Sequence, residues 1–444
     1  MRAVNREILR IAVPSIVTNI TVPLLGMVDV AIVGHIGNAS HISAIALGTM
    51  VFNLIYWNFG FLRAGTSGLT AQAYGARDRR EYTDILVQGM SVALAAALLI
   101  ICLRHPVAFL CRRLIRSTPE VLSLMLSYFY IRVWAAPATI SLYVIKGWFI
   151  GMQNARAPMW VATILNIVNI LISLLLVYGF GAGIEGVAWG TVAAQYSGLL
   201  LAIAIWLVKY RRLLKEMDLK SALRRDRLVR FFKVNTDIFL RSLCLVAVFT
   251  FIPYISATMG EEILAANTLL MQLFTLTSYI MDGFAYAGES IVGKHVGARD
   301  LGGLKSVVRG LNLWGVALAG VFTLVFLLGG EWILRLLTED PTVTETAKEY
   351  LFWSYLVPFA GYAAFIYDGI YIGATASVAM RNIMFVATAV FFCLYFPLAP
   401  FFANNALWLA FIVFLVTRGL LMVAARKRNV FGLIEAGDSF VSGE

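Results

Sequence analysis

Apolar runs of twenty or more residues, separated by short polar connections, repeat along the whole chain. At 1.5 Å per residue, about twenty helical residues cross a hydrocarbon layer of about 30 Å. The pattern predicts twelve spans at residues 8–35, 42–68, 83–104, 121–150, 158–180, 184–208, 236–258, 263–292, 305–329, 347–373, 379–400 and 404–425. The first run, Ile11 to Gly37, carries Pro14 near its start and Asp29 towards its end. A proline removes a backbone donor and lets a helix bend. A carboxylate inside hydrocarbon costs about 2.5–3.5 kcal/mol on insertion scales, so it normally faces other helices or water and has a task. The run is too long for a cleavable signal.

Composition agrees with a polytopic membrane protein. Hydrophobic residues make up 60% of the 444 and charged residues 14%, against about a quarter charged in ordinary soluble domains. The net charge of +11 is no nucleic-acid footprint, because Lys and Arg gather in a few loops. Arg2, Arg6 and Arg10 precede the first span, and the exits of the even-numbered spans are basic, as at Arg77-Asp78-Arg79-Arg80, Lys209 to Lys233, and Arg426-Lys427-Arg428. The positive-inside rule then puts both termini in the cytoplasm, with only Arg104, Arg112, Arg113 and Arg116 on the wrong side. Expected domains are a lobe at 1–208, a basic interfacial linker at 209–235, a second lobe at 236–425 and a tail at 426–444. Cys102, Cys111, Cys244 and Cys393 are scattered and form no metal or disulfide pattern.

Laying residue i over i+222 exposes a repeat. Gly75-Ala76-Arg77-Asp78 falls on Gly297-Ala298-Arg299-Asp300, and Ile150-Gly151 on Ile372-Gly373. At the same offset Lys146-Gly147 lies over Asp368-Gly369. Six spans per half is even, so the repeat is parallel and implies a pseudo-two-fold axis along the membrane normal. The expected fold is therefore all-α, with twelve transmembrane helices in two six-helix bundles enclosing a central cavity.

Asp29 is the leading functional residue of the first lobe. Asn166 and Asn169, three apart and so on one helix face, and Thr191 are its expected partners. A carboxylate with amide and hydroxyl oxygens suits a proton or Na⁺; Na⁺ would sit at Asp29, Asn169 and Thr191. The alternative is that the asparagines join helices by hydrogen bonds. In the second lobe Asp282, Glu289 and Asp368 are intramembrane acids, and Asp237 and Arg241 are spaced to pair at i, i+4. No helical base is apparent beside Asp282 and Glu289. Lys146 and Asp368, related by the repeat, could form a cytoplasmic gate. Arg63 is a deep cation that compensates an acid or snorkels. His35, His41, His105 and His295 read as interfacial. Met27, Tyr279, Met281, Phe284, Tyr286, Tyr367 and Tyr371 read as lipid-facing or packing residues, with a subset available for cation–π contacts. No Walker loop, dinucleotide fingerprint or nucleophile elbow is present. The chain reads as a carrier driven by an ion gradient, with no enzyme activity and no cofactor beyond H⁺ or Na⁺.

Four stretches carry a resemblance: Thr66-Ser67-Gly68-Leu69-Thr70-Ala71-Gln72-Ala73-Tyr74-Gly75, Asp237-Ile238-Phe239-Leu240-Arg241, Asp282-Gly283-Phe284-Ala285-Tyr286-Ala287, and Asp368-Gly369 through Ile372-Gly373-Ala374-Thr375. With these the chain resembles the multidrug and toxic compound extrusion (MATE) family, in its DinF branch, over nearly its full length. The resemblance implies two six-helix bundles and cation-driven efflux, with Pro14 on the family's bending proline and Asp29 on its first-helix acid. Asn169 and Thr191 fall on positions resembling the cluster around that acid. Leu25 and Ser173 depart from some archaeal relatives, which have a tyrosine and a second aspartate there. The expectation is a monomeric antiporter of a bacterial-type inner membrane, exchanging H⁺ or Na⁺ for organic cationic or amphipathic compounds, without nucleic acid. A flippase of lipid-linked precursors and a passive channel are the alternatives.

Overall fold

A computed structural model describes residues 2–34 and 39–435, with side chains except at 22–27, 30, 33, 34 and 39. Leu25, Met27 and His35, and the tail beyond residue 435, lie outside what is described. All regular structure among the described residues is helical: α1 (Arg2–Gly34), α2 (Ala39–Trp57), α3 (Gly60–Gly75), α4 (Arg79–Cys102), α5 (Arg104–Leu114), α6 (Pro119–Arg132), α7 (Ala136–Gly151), α8 (Arg156–Leu174), α9 (Gly183–Tyr210), α10 (Leu219–Ala222), α11 (Arg225–Thr258), α12 (Glu261–Gly297), α13 (Leu301–Leu337), α14 (Pro341–Gly373), α15 (Ser377–Phe402) and α16 (Asn404–Arg426). Among the described residues, eleven helical stretches are long and apolar enough to cross a membrane. The 33-residue α1, about 50 Å at 1.5 Å per residue, is a further helix of spanning length. This is a multi-pass, all-α membrane protein.

Helices outrun the apolar runs that announce them. The seventh span begins at Arg225, not near residue 236, so the linker shrinks to the 3₁₀ turn Arg211–Glu216 and the four-residue α10. The dissenting arginines Arg104, Arg112 and Arg113 belong to a short helix, α5, whose Phe109, Leu110 and Leu114 are exposed. Polar ends of a helix cost little once its apolar middle is buried, which is why hydropathy edges fall short of helix edges.

The chain divides into two compact units. One holds the residues through Ile16, Ala71–Arg77 and everything from Lys233; the other holds Val17–Thr70 and Asp78–Phe232. Helix α1 is thus shared, changing unit two residues after Pro14. The first unit has an aromatic core in which Phe251 meets Phe391 and Tyr395 edge to face, and Phe274 meets Phe411. At its polar seam Asn267 Nδ2 donates to Ser256 Oγ and Asn404 Oδ1, both at 2.7 Å, and Trp408 Nε1 donates back to Asn267 Oδ1 at 2.8 Å. In the other unit α4 is closed by the linker: Gln88 Nε2 donates to Ala222 O at 2.9 Å, and Asp84 is bound by Arg227.

The repeat extends to backbone detail. Arg77 and Arg299 both take positive φ (57° and 53°), as do Gln153 and Thr375 (60° and 50°). Asp78 and Asp300 cap the next helix by accepting from Glu81 N and Gly303 N, each at 2.9 Å, the side-chain capping that relieves a helix's first amides. The Gly303 amide holds the Asp300 carboxyl below its ordinary range, helped by His295 at 2.9 Å. Helix crossings repeat too. A Cβ on Gly147 would overlap the Arg63 carbonyl, and one on Gly369 the Ala285 carbonyl, 222 residues on. Gly151 and Gly373 approach the carbonyls of Ser67 and Glu289 to within 2.7 and 2.6 Å of such a Cβ. Small residues let membrane helices approach this closely.

Gly147→Ala and Gly369→Ala should each lower the thermal unfolding temperature of the detergent-purified protein, since overpacking costs about 1–3 kcal/mol and a backbone carbonyl cannot swing aside. Gly320→Ala, where a Cβ meets nothing within 4 Å, should leave it in place; equal losses at all three would contradict the crossings.

Candidate functional site

In the unit that starts at Val17, α8 grips α1 on either side of Asp29. Asn166 Nδ2 donates to Thr21 O at 3.0 Å, and Tyr178, on the π-helical turn Leu175–Gly179, donates to Ile32 O at 3.5 Å. Asp29 is 7% exposed, and its Oδ1 has no hydrogen-bond partner among the described residues. Asn169 is fully buried; its Nδ2 donates to Thr191 Oγ1 at 3.2 Å, which donates on to Val187 O at 3.1 Å. The amide oxygen of Asn169 and the hydroxyl of Ser173, seated on Gly190, are buried without partners among the described residues.

Asn169 and Thr191, both expected as partners of Asp29, are hydrogen-bonded to each other. Asn166 turns to the backbone of α1, a helix-joining role, and shares no hydrogen bond with Asp29 among the described residues. Two buried acceptors, Asp29 Oδ1 and Asn169 Oδ1, stand without donors, and Thr191 keeps a lone pair. These are hard oxygens of the kind a proton or Na⁺ satisfies. Among the described residues no three His, Cys, Asp or Glu gather as a metal site.

Arg132, at the end of α6, is the cation acting on Asp29. Its Nη1 donates to Tyr128 Oη at 2.5 Å and Thr49 Oγ1 at 3.2 Å, and its guanidinium stands 4.9 Å over the Phe52 ring. Sequence reasoning passed over it. The available signal was an arginine deep inside an apolar span, one turn beyond a tyrosine. Arg63 acts on the buried Tyr143, and Lys146, half-buried on α7, meets no carboxylate among the described residues.

The acids of the other unit are paired differently from their spacing. Asp237 does not pair with Arg241: it accepts from Ser377 Oγ at 2.8 Å and Arg381 Nη1 at 2.5 Å. Arg241 binds Asp368, whose Oδ2 also accepts from Arg418. Spacing along α11 permits the i, i+4 pair, but α15 offers Asp237 a guanidinium and a hydroxyl together, and α14 offers Arg241 a carboxylate. Asp282 does have a base nearby, since Arg418 acts on it, and Ser278 donates to it at 3.3 Å. Arg418 is 3% exposed and went unremarked in the sequence. Glu289 is buried at 1%. Met281, Phe284, Tyr367 and Tyr371 are packing residues, all buried, with Tyr371 Oη donating to Met422 O at 2.8 Å.

Breaking a buried pair strands its partner, at about 3–5 kcal/mol. Asp368→Asn should accordingly lower the thermal unfolding temperature, because Arg241 and Arg418 lose the carboxylate they share. Asp29→Asn, which breaks no hydrogen bond among the described residues, should shift it far less.

The MatE family model matches residues 14–175 and again 238–401, once in each repeat. DNA damage-inducible protein F of Escherichia coli K12 is 39% identical over 427 residues, 96% of this chain and 92% of that protein. A probable multidrug resistance protein NorM of Rhizobium meliloti is 26% identical over 447 residues, 94% of this chain and 92% of its own length. The crystal structure of the Vibrio cholerae MATE transporter VcmN in the bent form shares the fold at a TM-score of 0.86 and 15% identity, covering 97% of this chain and 98% of that one. With both repeats matched and a relative this similar end to end, the chain belongs to the MatE family.

Proposed function

We propose that this protein is a secondary antiporter, in which entry of H⁺ or Na⁺ at Asp29 drives export of an organic cationic or amphipathic compound. The observation that carries the reading is a carboxylate buried in a helix of spanning length that, unlike Asp84 and Asp368, has neither an ion pair nor a hydrogen bond among the described residues. Such a group gains most from a small cation. Asn169 and Thr191 would complete the coupling site, with Na⁺, if it is the ion, held by oxygens of all three. Pro14 would let α1 bend where it passes from one compact unit to the other. Coupling requires that ion and cargo differ in affinity between inward- and outward-facing states, not merely that both bind. Arg132 is an internal counter-charge with which an entering cation competes for Asp29. In a gate between Lys146 and Asp368, Lys146 would have to compete with Arg241 and Arg418.

The protein would lie in a bacterial-type inner membrane with both termini in the cytoplasm, working as a monomer. A flippase for lipid-linked diphosphates needs cations free for phosphate. Deep within the spans Arg241 and Arg418 bind Asp368 and Arg132 acts on Asp29, so the antiporter reading is favoured.

In proteoliposomes, dye efflux driven by a pH step, then by a Na⁺ step, identifies the ion. Asp29→Asn should insert and fold normally yet lose gradient-driven efflux to the leak rate of empty vesicles. Undiminished efflux would move coupling to Asp237, Asp282, Glu289 or Asp368.

A further inference from the structure

A cavity of about 810 Å³ opens between α13, the end of α14 and the end of α16, all within one compact unit. Its charge is lopsided. Lys305, Arg309, Arg426 and Lys427 line it against the single carboxylate of Glu435. Arg426 Nη1 is fixed inward by Tyr367 Oη at 3.0 Å, and Lys305 sits 5.9 Å over the Phe431 ring and 3.7 Å from Glu435. Arg309 and Lys427 are exposed and meet no carboxylate among the described residues.

One face of α13 runs from these cations straight into apolar surface. Lys305 and Arg309 are followed, one and two turns on, by Leu313 and Val316, which also line the cavity and are 53% and 43% exposed. Cations passing into exposed apolar residues along one face of a membrane-spanning helix match an amphiphile with an anionic head and an apolar tail.

The repeat supplies an internal control. The positions 222 residues before Lys305, Arg309, Arg426 and Lys427 are Thr83, Val87, Ala204 and Ile205. There the chain closes α4 with its own linker, through Gln88 to Ala222, Asp84 to Arg227 and Glu81 to Arg230 at 3.2 Å. The equivalents of Glu81 and Asp84 are Gly303 and Ser306. In the second repeat the same face of α13 lacks those acids and carries cations, with Phe431 and Glu435 beside it among the described residues.

We propose that this groove binds the phosphate headgroup of an anionic phospholipid, with an acyl chain lying along Leu313 and Val316. Arg309 and Lys427 supply charge to the phosphate, Arg426 and Tyr367 form its back wall, and the exposed stripe of α13 takes the chain. Each cation near a charged lipid surface contributes about fivefold in affinity.

The test is native mass spectrometry of the full chain in detergent, titrated with phosphatidylglycerol and with phosphatidylcholine of identical acyl chains. It reads binding, so its outcome is independent of whether the transport reading stands. The wild type should prefer phosphatidylglycerol, and Arg309→Ala with Lys427→Ala should reduce that preference roughly 25-fold, about fivefold per cation. Arg112→Ala with Arg113→Ala, removing two cations of α5, should leave it unchanged. Glycerol phosphate without acyl chains should compete poorly. Equal binding of the two lipids, equal loss in both double variants, or competition by glycerol phosphate alone as strong as by the lipid would each overturn the proposal. A preference appearing only after truncation beyond Glu435 would overturn it in favour of the chain's own tail, with Asp438 and Glu444, as the occupant.

Discussion

A charge inside hydrocarbon must find an opposite charge, a hydrogen-bond partner or water, because each isolated ion costs several kcal/mol even after relaxation. That constraint sorts the buried acids of this protein into two groups. Asp84, Asp237 and Asp368 are held by Arg227, Arg381, and Arg241 with Arg418. These pairs tie helices together at positions where truncation of one partner strands the other. Asp84 and Asp368 also keep one buried oxygen without a partner among the described residues, but each holds an arginine on the other oxygen. Asp29 has no ion pair or hydrogen bond among the described residues, only an arginine acting on it while bonded to other groups. An acid clamped by an arginine is poorly suited to exchange ions, whereas a buried acid that no cation touches has more to gain from binding one.

Much of the scaffold was legible because its signals are local. The glycine–alanine–arginine–aspartate loops announce a turn that needs positive φ at Arg77 and Arg299 and a cap from Asp78 and Asp300. Gly147 and Gly369 stand where a side chain would strike a neighbouring carbonyl. Glycine and aspartate are chosen by the backbone at these places, so they recur at one offset while lipid-facing positions drift freely.

Partner choice was less legible, for the opposite reason. Which arginine meets which acid depends on the rotation of several helices at once, and sequence spacing reports only neighbours on the same helix. Asp237 and Arg241 are four apart, yet each finds a better-placed partner on α15 or α14. Arg132 and Arg418 were overlooked because they sit inside otherwise apolar spans, where attention went to the rarer acids. Asn166, Asn169 and Thr191 were all assigned to Asp29 by residue type, whereas Asn169 bonds Thr191 and Asn166 bonds the α1 backbone; a main-chain acceptor leaves no mark in the sequence.

The repeat also shows what the first lobe has been given that the second lacks. At the offset of 222, Asp29 corresponds to Phe251 and Asn169 to Phe391. In the second repeat those two rings meet edge to face, with centroids 5.9 Å apart. In the second repeat the helices carrying these positions thus let their side chains touch. At the corresponding positions the first repeat has a carboxylate and an amide, each with a buried oxygen that has no partner among the described residues. Aromatic packing needs nothing further, because its apolar surface is fully used. A buried carboxylate or amide oxygen without a partner still has something to gain from a proton or a cation. The duplicated frame thus carries ring packing in one copy and unsatisfied polar groups in the other, and the proposed coupling role of Asp29 rests on that difference.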